Sequence, residues 1–414
     1  MSGPWWRQVT GDQWRAFSAA YLGWLLDGFD FTVLTFLLVD IERSFTVSSA
    51  LAGALGTVTL IFRLVGGIGA GTAADRWGRK GPLMFSILWY SLFSFVGGFS
   101  TSYRILFACR ALFGIGMGGV WAAGMPLAIE HWPKELRGTV SGMLQSGYSM
   151  GFVLSAFVYQ FVYPLVNQRA NTGWRVMLWI GVLPALLVFW IMRRVKESPI
   201  WLEGQRDAGG THEPASLALS RLFRRDLLAT TVHTSLVMSA FLVFYHSITF
   251  WYPTLIAQMH RATLVPLVLL NIGAVLGNLV WGQVSETQLG RRGAAAVATL
   301  GGLAVIPLYV FSSSTGPLLL GAFIMGLFGV GNFGIVPSYL SERFPTAARA
   351  AGGGFAYHVG AAMSALMPFI VGAMKDRGTP LGSAMAICIS VGGVLLVVLM
   401  WIGPETRGRA LTDT

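Results

Sequence analysis

Apolar residues in this chain fall into long, nearly unbroken segments, and polar residues into short stretches between them. Read with a window of about 19 residues, the sequence holds twelve apolar segments. They cover approximately residues 16–39, 51–74, 82–101, 104–129, 138–164, 174–192, 227–253, 264–285, 294–312, 317–340, 351–374 and 381–402. Each can cross a hydrocarbon core of about 30 Å as a helix rising about 1.5 Å per residue. In lipid, the backbone N–H and C=O groups must be satisfied within the segment, which selects helices. The pattern therefore predicts an all-α polytopic membrane protein with twelve transmembrane helices. Composition agrees: 54% of residues are hydrophobic and 11% charged, where a soluble domain carries about 25% charged. The 52 glycines suit helices that pack closely in lipid.

Charge then sets orientation. If the N-terminus is cytoplasmic, 20 of the 29 Lys and Arg residues fall on the tails and loops of that side, 7 fall on the opposite side, and Arg63 and Arg110 lie inside segments. This bias predicts that both termini are cytoplasmic. It also explains the net charge of +11 as topological, which removes the argument for a nucleic-acid partner. Cys109 and Cys388 both lie in apolar segments and read as small packing residues with no disulfide framework. Trp5, Trp6 and Trp14 interrupt the start of the chain, so no signal peptide is expected.

Polar residues inside the apolar segments carry the candidate chemistry. Asp27 and Asp30 lie in the middle of the first segment. A charge there costs about 2.5–3.5 kcal/mol on insertion scales and persists only with a partner or a function. Their (i, i+3) spacing places both on one helix face. From helical rise, Asp27 lies roughly 16 Å and Asp30 roughly 21 Å from the cytoplasmic face, with Arg63 at roughly 12 Å and Arg110 at roughly 21 Å. Asp30 is therefore level with Arg110, and Asp27 is about one turn from Arg63. A carboxylate that alternates between an apolar setting and an arginine can take up and release a proton. An arginine that alternates between an acid and a substrate carboxylate couples the two events. The structural alternative is two static Asp–Arg struts between helices. Polar candidates for ligand contact elsewhere are Tyr148, Asn271, Asn332, Tyr357 and His358. No metal-ligand spacing, nucleophile arrangement or phosphate loop is present, so neither an enzyme nor a metal site is expected, and no cofactor beyond protons as coupling ion.

A repeat divides the chain. Glu130, Pro133 and Arg137 recur as Glu342, Pro345 and Arg349 at one offset of 212, and Asp75 pairs with Glu286 at 211. Two pseudo-symmetric six-helix halves follow: residues 1–192 and 227–414, joined by a cytoplasmic linker over 193–226 with a short surface helix expected near 216–223. The run from Gly71 through Asp75, Arg76, Gly78, Arg79 and Lys80, between the second and third segments, resembles the cytoplasmic loop motif of the major facilitator superfamily. Glu130, Arg137, Glu342 and Arg349 join it as expected members of a cytoplasmic gate. In the second half this loop is degraded, with Glu286 in place of Asp and the following Arg missing.

The stretch from Tyr21 to Phe31, Arg63 with Gly66 and Gly67, and Glu130, Trp132, Pro133 and Lys134 resemble the sialate:proton symporter family. The core around Asp27 and Asp30 is also similar to the aromatic acid:proton symporters. These resemblances imply proton-coupled import of a small organic acid anion across a bacterial inner membrane by alternating access, in a monomeric protein. Sialic acid stands first and a lactate- or pyruvate-type monocarboxylate or an aromatic acid next. They also imply protonation at Asp27 and Asp30, carboxylate anchoring at Arg63, and Arg110 as the fourth-helix arginine of the coupling group. Val120 stands where the family often carries an acid. The rival reading is a drug or cation exporter of the same fold.

Overall fold

The computed structural model describes residues 9–132, 137–167, 172–199, 201–203, 220–259, 264–344 and 349–407. Every predicted apolar segment contains a helix: α1 (Gly11–Phe45), α2 (Ser49–Trp77), α3 (Lys80–Gly97), α4 (Tyr103–His131), α5 (Arg137–Phe161), α6 (Gly173–Arg194), α7 (Arg225–Gln258), α8 (Leu264–Val284), α9 (Gly290–Val310), α10 (Thr315–Leu340), α11 (Gly352–Asp376) and α12 (Leu381–Ile402). Among the described residues, ten of these are long and apolar enough to cross a membrane, and α3 and α5 fill the remaining two predicted segments. No strand occurs among the described residues. Most of the surface helix expected near 216–223 lies outside them.

Four of the spans are not continuous: α11 breaks at a turn at Ala365, between Ser364 and Leu366, and the other three break for identifiable reasons. In α6 the helix runs Gly173–Ile180, turns through Gly181–Leu183, and resumes at Pro184–Arg194. Pro184 has no N–H to continue the ladder, and the backbone tightens to three-residue bonds, with Gly181 donating to Leu178 at 3.1 Å and Leu183 to Ile180 at 3.0 Å. In α10 a π-helical turn at Gly326–Val330 is followed by a 3-10 turn at Gly331–Gly334. In α7 the break precedes Pro253, between Thr249 and Tyr252.

The described residues divide into two compact units. The first takes Met1–Val33, Phe62–Ser155 and Val166–Glu213. Its helices approach closely at glycines. A side chain on Gly118 of α4 would overlap the backbone of Arg63 and Gly67 on α2, and one on Gly116 would come 2.7 Å from the backbone of Tyr90 on α3. The second unit takes Leu34–Ile61, Ala156–Leu165 and Pro214–Thr414. Within it, Asp376 accepts from the backbone N–H groups of Ser49 (2.9 Å) and Ala50 (2.7 Å), capping the start of α2. Lys375 pairs with Glu42 at 3.3 Å.

A charge network closes one end of each unit, and the two networks repeat each other. Arg79 reaches Glu130 at 3.1 Å, while Glu197 accepts from the backbone N–H groups of Arg79 (2.8 Å) and Lys80 (3.1 Å). Arg291 reaches Glu342 at 2.7 Å, while Glu405 accepts from Arg291 (2.9 Å) and Arg292 (3.1 Å). In each case a carboxylate satisfies orphan N–H groups at a helix start, α3 or α9. The preceding residue is a glycine at positive φ, Gly78 at 94° and Gly290 at 70°. A side chain there would be strained and would collide with the capping carboxylate, at 2.5 Å from Glu405. The second loop keeps its network despite the degraded motif, because Glu286 also binds Arg291 at 2.6 Å. Arg76 stacks on Trp77 with its guanidinium 5.6 Å from the ring, and a side chain on Gly71 would meet Ala122 of α4 at ordinary contact distance. The side chains of Asp75, Arg137 and Arg349 lie outside the described part of the structure.

Burial acts to raise the proton affinity of Glu405, but backbone N–H donors from Arg407, Arg291, Arg292 and Thr406 outweigh it and hold the carboxyl below the usual range. Its stabilising effect is thus present above that range and lost as pH falls through it. Glu405→Gln is expected to melt at a lower temperature than the parent protein at pH 7, and the gap should narrow below about pH 4. Gly290→Ala should cost about 1–3 kcal/mol, checked by thermal unfolding of the purified protein.

Candidate functional site

The polar centre of the first unit is built by six helices. On α1, Asp27 and Asp30 are fully buried, and so are Arg63 of α2 (4% exposed) and Arg110 of α4 (1% exposed). Asp27 lies within electrostatic reach of both Arg63 and Arg110, and Asp30 within reach of Arg110. Tyr90 of α3, also fully buried, lies within reach of both acids. The four charges therefore form one cluster rather than two separate pairs. Among the described residues neither carboxyl has a hydrogen-bond donor within reach, and the Tyr90 hydroxyl, the Ser91 hydroxyl and the Trp24 indole N–H are buried without a partner.

Local packing explains these positions. Gly118 brings the backbone of Arg63 against α4, which carries Arg110 about two turns from its start at Tyr103. On α1, glycine again sets the spacing. A side chain on Gly28 would come 3.0 Å from the backbone oxygen of Tyr148 on α5, and Gly151 of α5 meets the backbone of Leu25. Thr32 and Ser155 hydroxyls, 2.9 Å apart, tie the same two helices.

Aromatic rings line the cluster. The Arg63 guanidinium lies 5.1 Å from the Trp24 ring, and Trp24 lies 5.2 Å from Tyr148. The Arg110 guanidinium lies 4.2 Å from Phe113, whose ring is 5.8 Å from Tyr90. Such rings accept a cation on their faces while contributing apolar surface. Trp24, Tyr90 and Phe113 were not among the residues selected from sequence. Aromatic residues recur along the spans, so neither composition nor local pattern singled these three out.

The residues expected from the second half lie in the other unit. Asn271 donates to Leu267 of its own helix at 2.9 Å, and Asn332 donates to Thr299 of α9 at 2.8 Å. Tyr357 and His358 stand edge to face at 5.5 Å, His358 being buried. His246 of α7, also buried, places its Nδ1 3.0 Å from the Ser364 hydroxyl.

Chemically, the first-unit cluster can hold an anion on a guanidinium, offer a flat apolar wall beside it, and accept a proton on a carboxyl in the same place. Converting Trp24 to Ala removes the ring under Arg63 and should lower the melting temperature by an amount matching about 3–5 kcal/mol. Trp24→Phe should recover most of that loss, measured side by side in detergent.

Comparison with known proteins agrees with this architecture. The family model described as Major Facilitator Superfamily matches residues 20–368. The chain is 32% identical to a probable 4-methylmuconolactone transporter of Cupriavidus pinatubonensis, over 99% of this chain and 94% of that protein. It is 30% identical to the sialic acid transporter NanX of Escherichia coli, over 99% and 98%. Its fold matches the inward-open structure of the xylose transporter XylE from E. coli with a TM-score of 0.77 at 22% identity, covering 96% of this chain and 98% of that one. A chain whose described residues place a helix in every predicted apolar segment, with repeated charge networks and a buried polar cluster, and which the family model matches along most of its length, is a multi-pass membrane transporter and not an enzyme: it belongs to the Major Facilitator Superfamily.

Proposed function

We propose that this protein imports a small organic acid anion together with protons across a bacterial inner membrane, as a monomer with both termini in the cytoplasm. The observation that carries the reading is the burial of Asp27, Asp30, Arg63 and Arg110 in one aromatic-lined cluster. In this scheme Arg63, backed by Trp24, anchors the substrate carboxylate. Arg110 exchanges between the acids and the anion, and Asp27 or Asp30 takes the proton. The halves 1–192 and 227–414, tethered by 193–226, expose the site alternately. From the second half, Asn271, Asn332, Tyr357 and His358 are the candidate ligand contacts.

Two acid classes are supported by different observations. The relative that transports sialic acid favours a sugar acid. The walls of this cluster favour a flat, unsaturated or aromatic acid, because Trp24, Tyr90, Phe113 and Tyr148 offer ring faces. A polyol would instead need a dense set of amide and hydroxyl partners. A relative named for a muconolactone accords with the second class, which we place first. A cationic ligand is disfavoured by two arginines at the centre.

Proteoliposomes carrying the purified protein test this. With an inward proton gradient, one of cis,cis-muconate, nicotinate, benzoate or sialic acid should accumulate. Asp27→Asn combined with Asp30→Asn should abolish accumulation while leaving substrate exchange. Uptake that ignores the proton gradient would remove the symport reading. Arg63→Lys should weaken binding roughly tenfold, since a point charge replaces a bidentate fork; an unaltered binding isotherm would move the anchor elsewhere.

A further inference from the structure

The turn that interrupts α6 lies directly against one of the two buried acids. A side chain on Gly181 would place its first carbon 2.6 Å from Oδ1 of Asp30 and closer still to the hydroxyl oxygen of Ser94 on α3. The two oxygens therefore crowd a single point above the Gly181 α-carbon. Ser94 is held there, since its hydroxyl donates to the carbonyl of Leu178 at 3.3 Å, in the last turn before the break. The break itself follows from Pro184, and the backbone from Leu178 to Leu186 runs on three-residue bonds. This is a notch in a transmembrane helix, walled by Ser94, and the carboxyl of Asp30 occupies it.

The charged and titratable groups facing Asp30 are Arg110 from α4, Asp27 from its own helix and Tyr90 from α3, while α6 presents Gly181. Asp27 faces Arg63 and Arg110, and Asp30 is turned to the notch. The two acids, three residues apart, thus have different settings. We infer that Gly181, with Ser94, is a positioning residue that seats the Asp30 carboxyl in the α6 notch. The inference rests on the proton-coupled reading given above. It adds a division of labour: Asp27 is the acid that also meets Arg63, and Asp30 is the carboxyl whose proton exchange the notch governs. A methyl group in the notch drives Oδ1 from its seat and changes its setting beside Arg110. A carboxylate moved relative to a guanidinium changes its proton affinity.

Infrared difference spectroscopy of the purified protein reads this without any substrate. The C=O band of the protonated carboxyl is assigned to Asp30 by its loss in Asp30→Asn. In Gly181→Ala the midpoint at which this band appears should move by about one pH unit. Ser94→Gly combined with Gly181→Ala removes the clash between α3 and α6 but leaves the methyl group against Asp30, so the shift should persist. This double variant also carries the test if Gly181→Ala alone does not fold. An unmoved midpoint in both variants overturns the inference. So does a shift in Gly181→Ala that Ser94→Gly abolishes, because the effect would then come from helix crowding. A shifted band in a protein whose uptake ignores the proton gradient would keep the positioning role and defeat the symport reading instead, so the two failures are distinguishable.

Discussion

A carboxylate or guanidinium taken from water into a low-dielectric interior loses several kcal/mol of hydration per ion even after relaxation. This protein buries two of each at the centre of one helical unit. Opposite charges placed together recover part of that loss, and ring faces beside the guanidinium groups recover more. The recovery depends on distance, so the helices that carry the charges must be held within a narrow range of one another. That requirement accounts for the glycines. Gly118 admits the backbone of Arg63, Gly28 and Gly151 set α1 against α5, and Gly181 leaves room for Asp30.

The same economy operates at the ends of the helices. α3 and α9 each begin with N–H groups that no helical carbonyl can satisfy. Glu197 and Glu405 satisfy them, and Arg79 and Arg291 reach on to Glu130 and Glu342. Each network ties a loop glycine at positive φ, a helix start, the end of the fourth span of its half and the segment after the sixth. A set of charge-assisted bonds of this kind is rigid when made and has no partial form that satisfies its members. It suits elements that move as whole bodies, and a mobile carrier needs such bodies around a site.

The central cluster is the opposite case. Its hydrogen-bond capacity is deliberately incomplete: the two carboxyls, the Tyr90 hydroxyl and the Trp24 indole N–H are buried without donors or acceptors among the described residues. Each such group is costly in a static scaffold. In the proposed site, which accepts an anion and a proton and then gives both up, unsatisfied capacity is what the ligands would complete. The contrast between filled networks at the ends and an unfilled one at the centre separates framework from working part.

Much of this was legible in the chain itself. Twelve apolar segments, the offset of 212 between Glu130 and Glu342, and the helical rise that levels Asp30 with Arg110 all follow from one-dimensional regularities. In lipid an apolar segment of this length satisfies its own backbone as a helix, so the span pattern sets the architecture, and charge inside a span marks the candidate working residues. What sequence left open was which atoms meet. Trp24, Tyr90 and Phe113 gain their place from neighbours on other helices, and nothing in their local pattern distinguishes them from the many aromatic residues that face lipid. Glu197 and Glu405 lie just past α6 and α12, and their role as helix caps depends on a fold that returns the segment after the sixth span of each half to the start of the third. Whether Asp27 and Asp30 shared one environment was likewise undecided by their spacing. The tertiary structure decided it, because the break at Pro184 and the bare α-carbon of Gly181 belong to α6, and only packing brings that notch to the acid on α1.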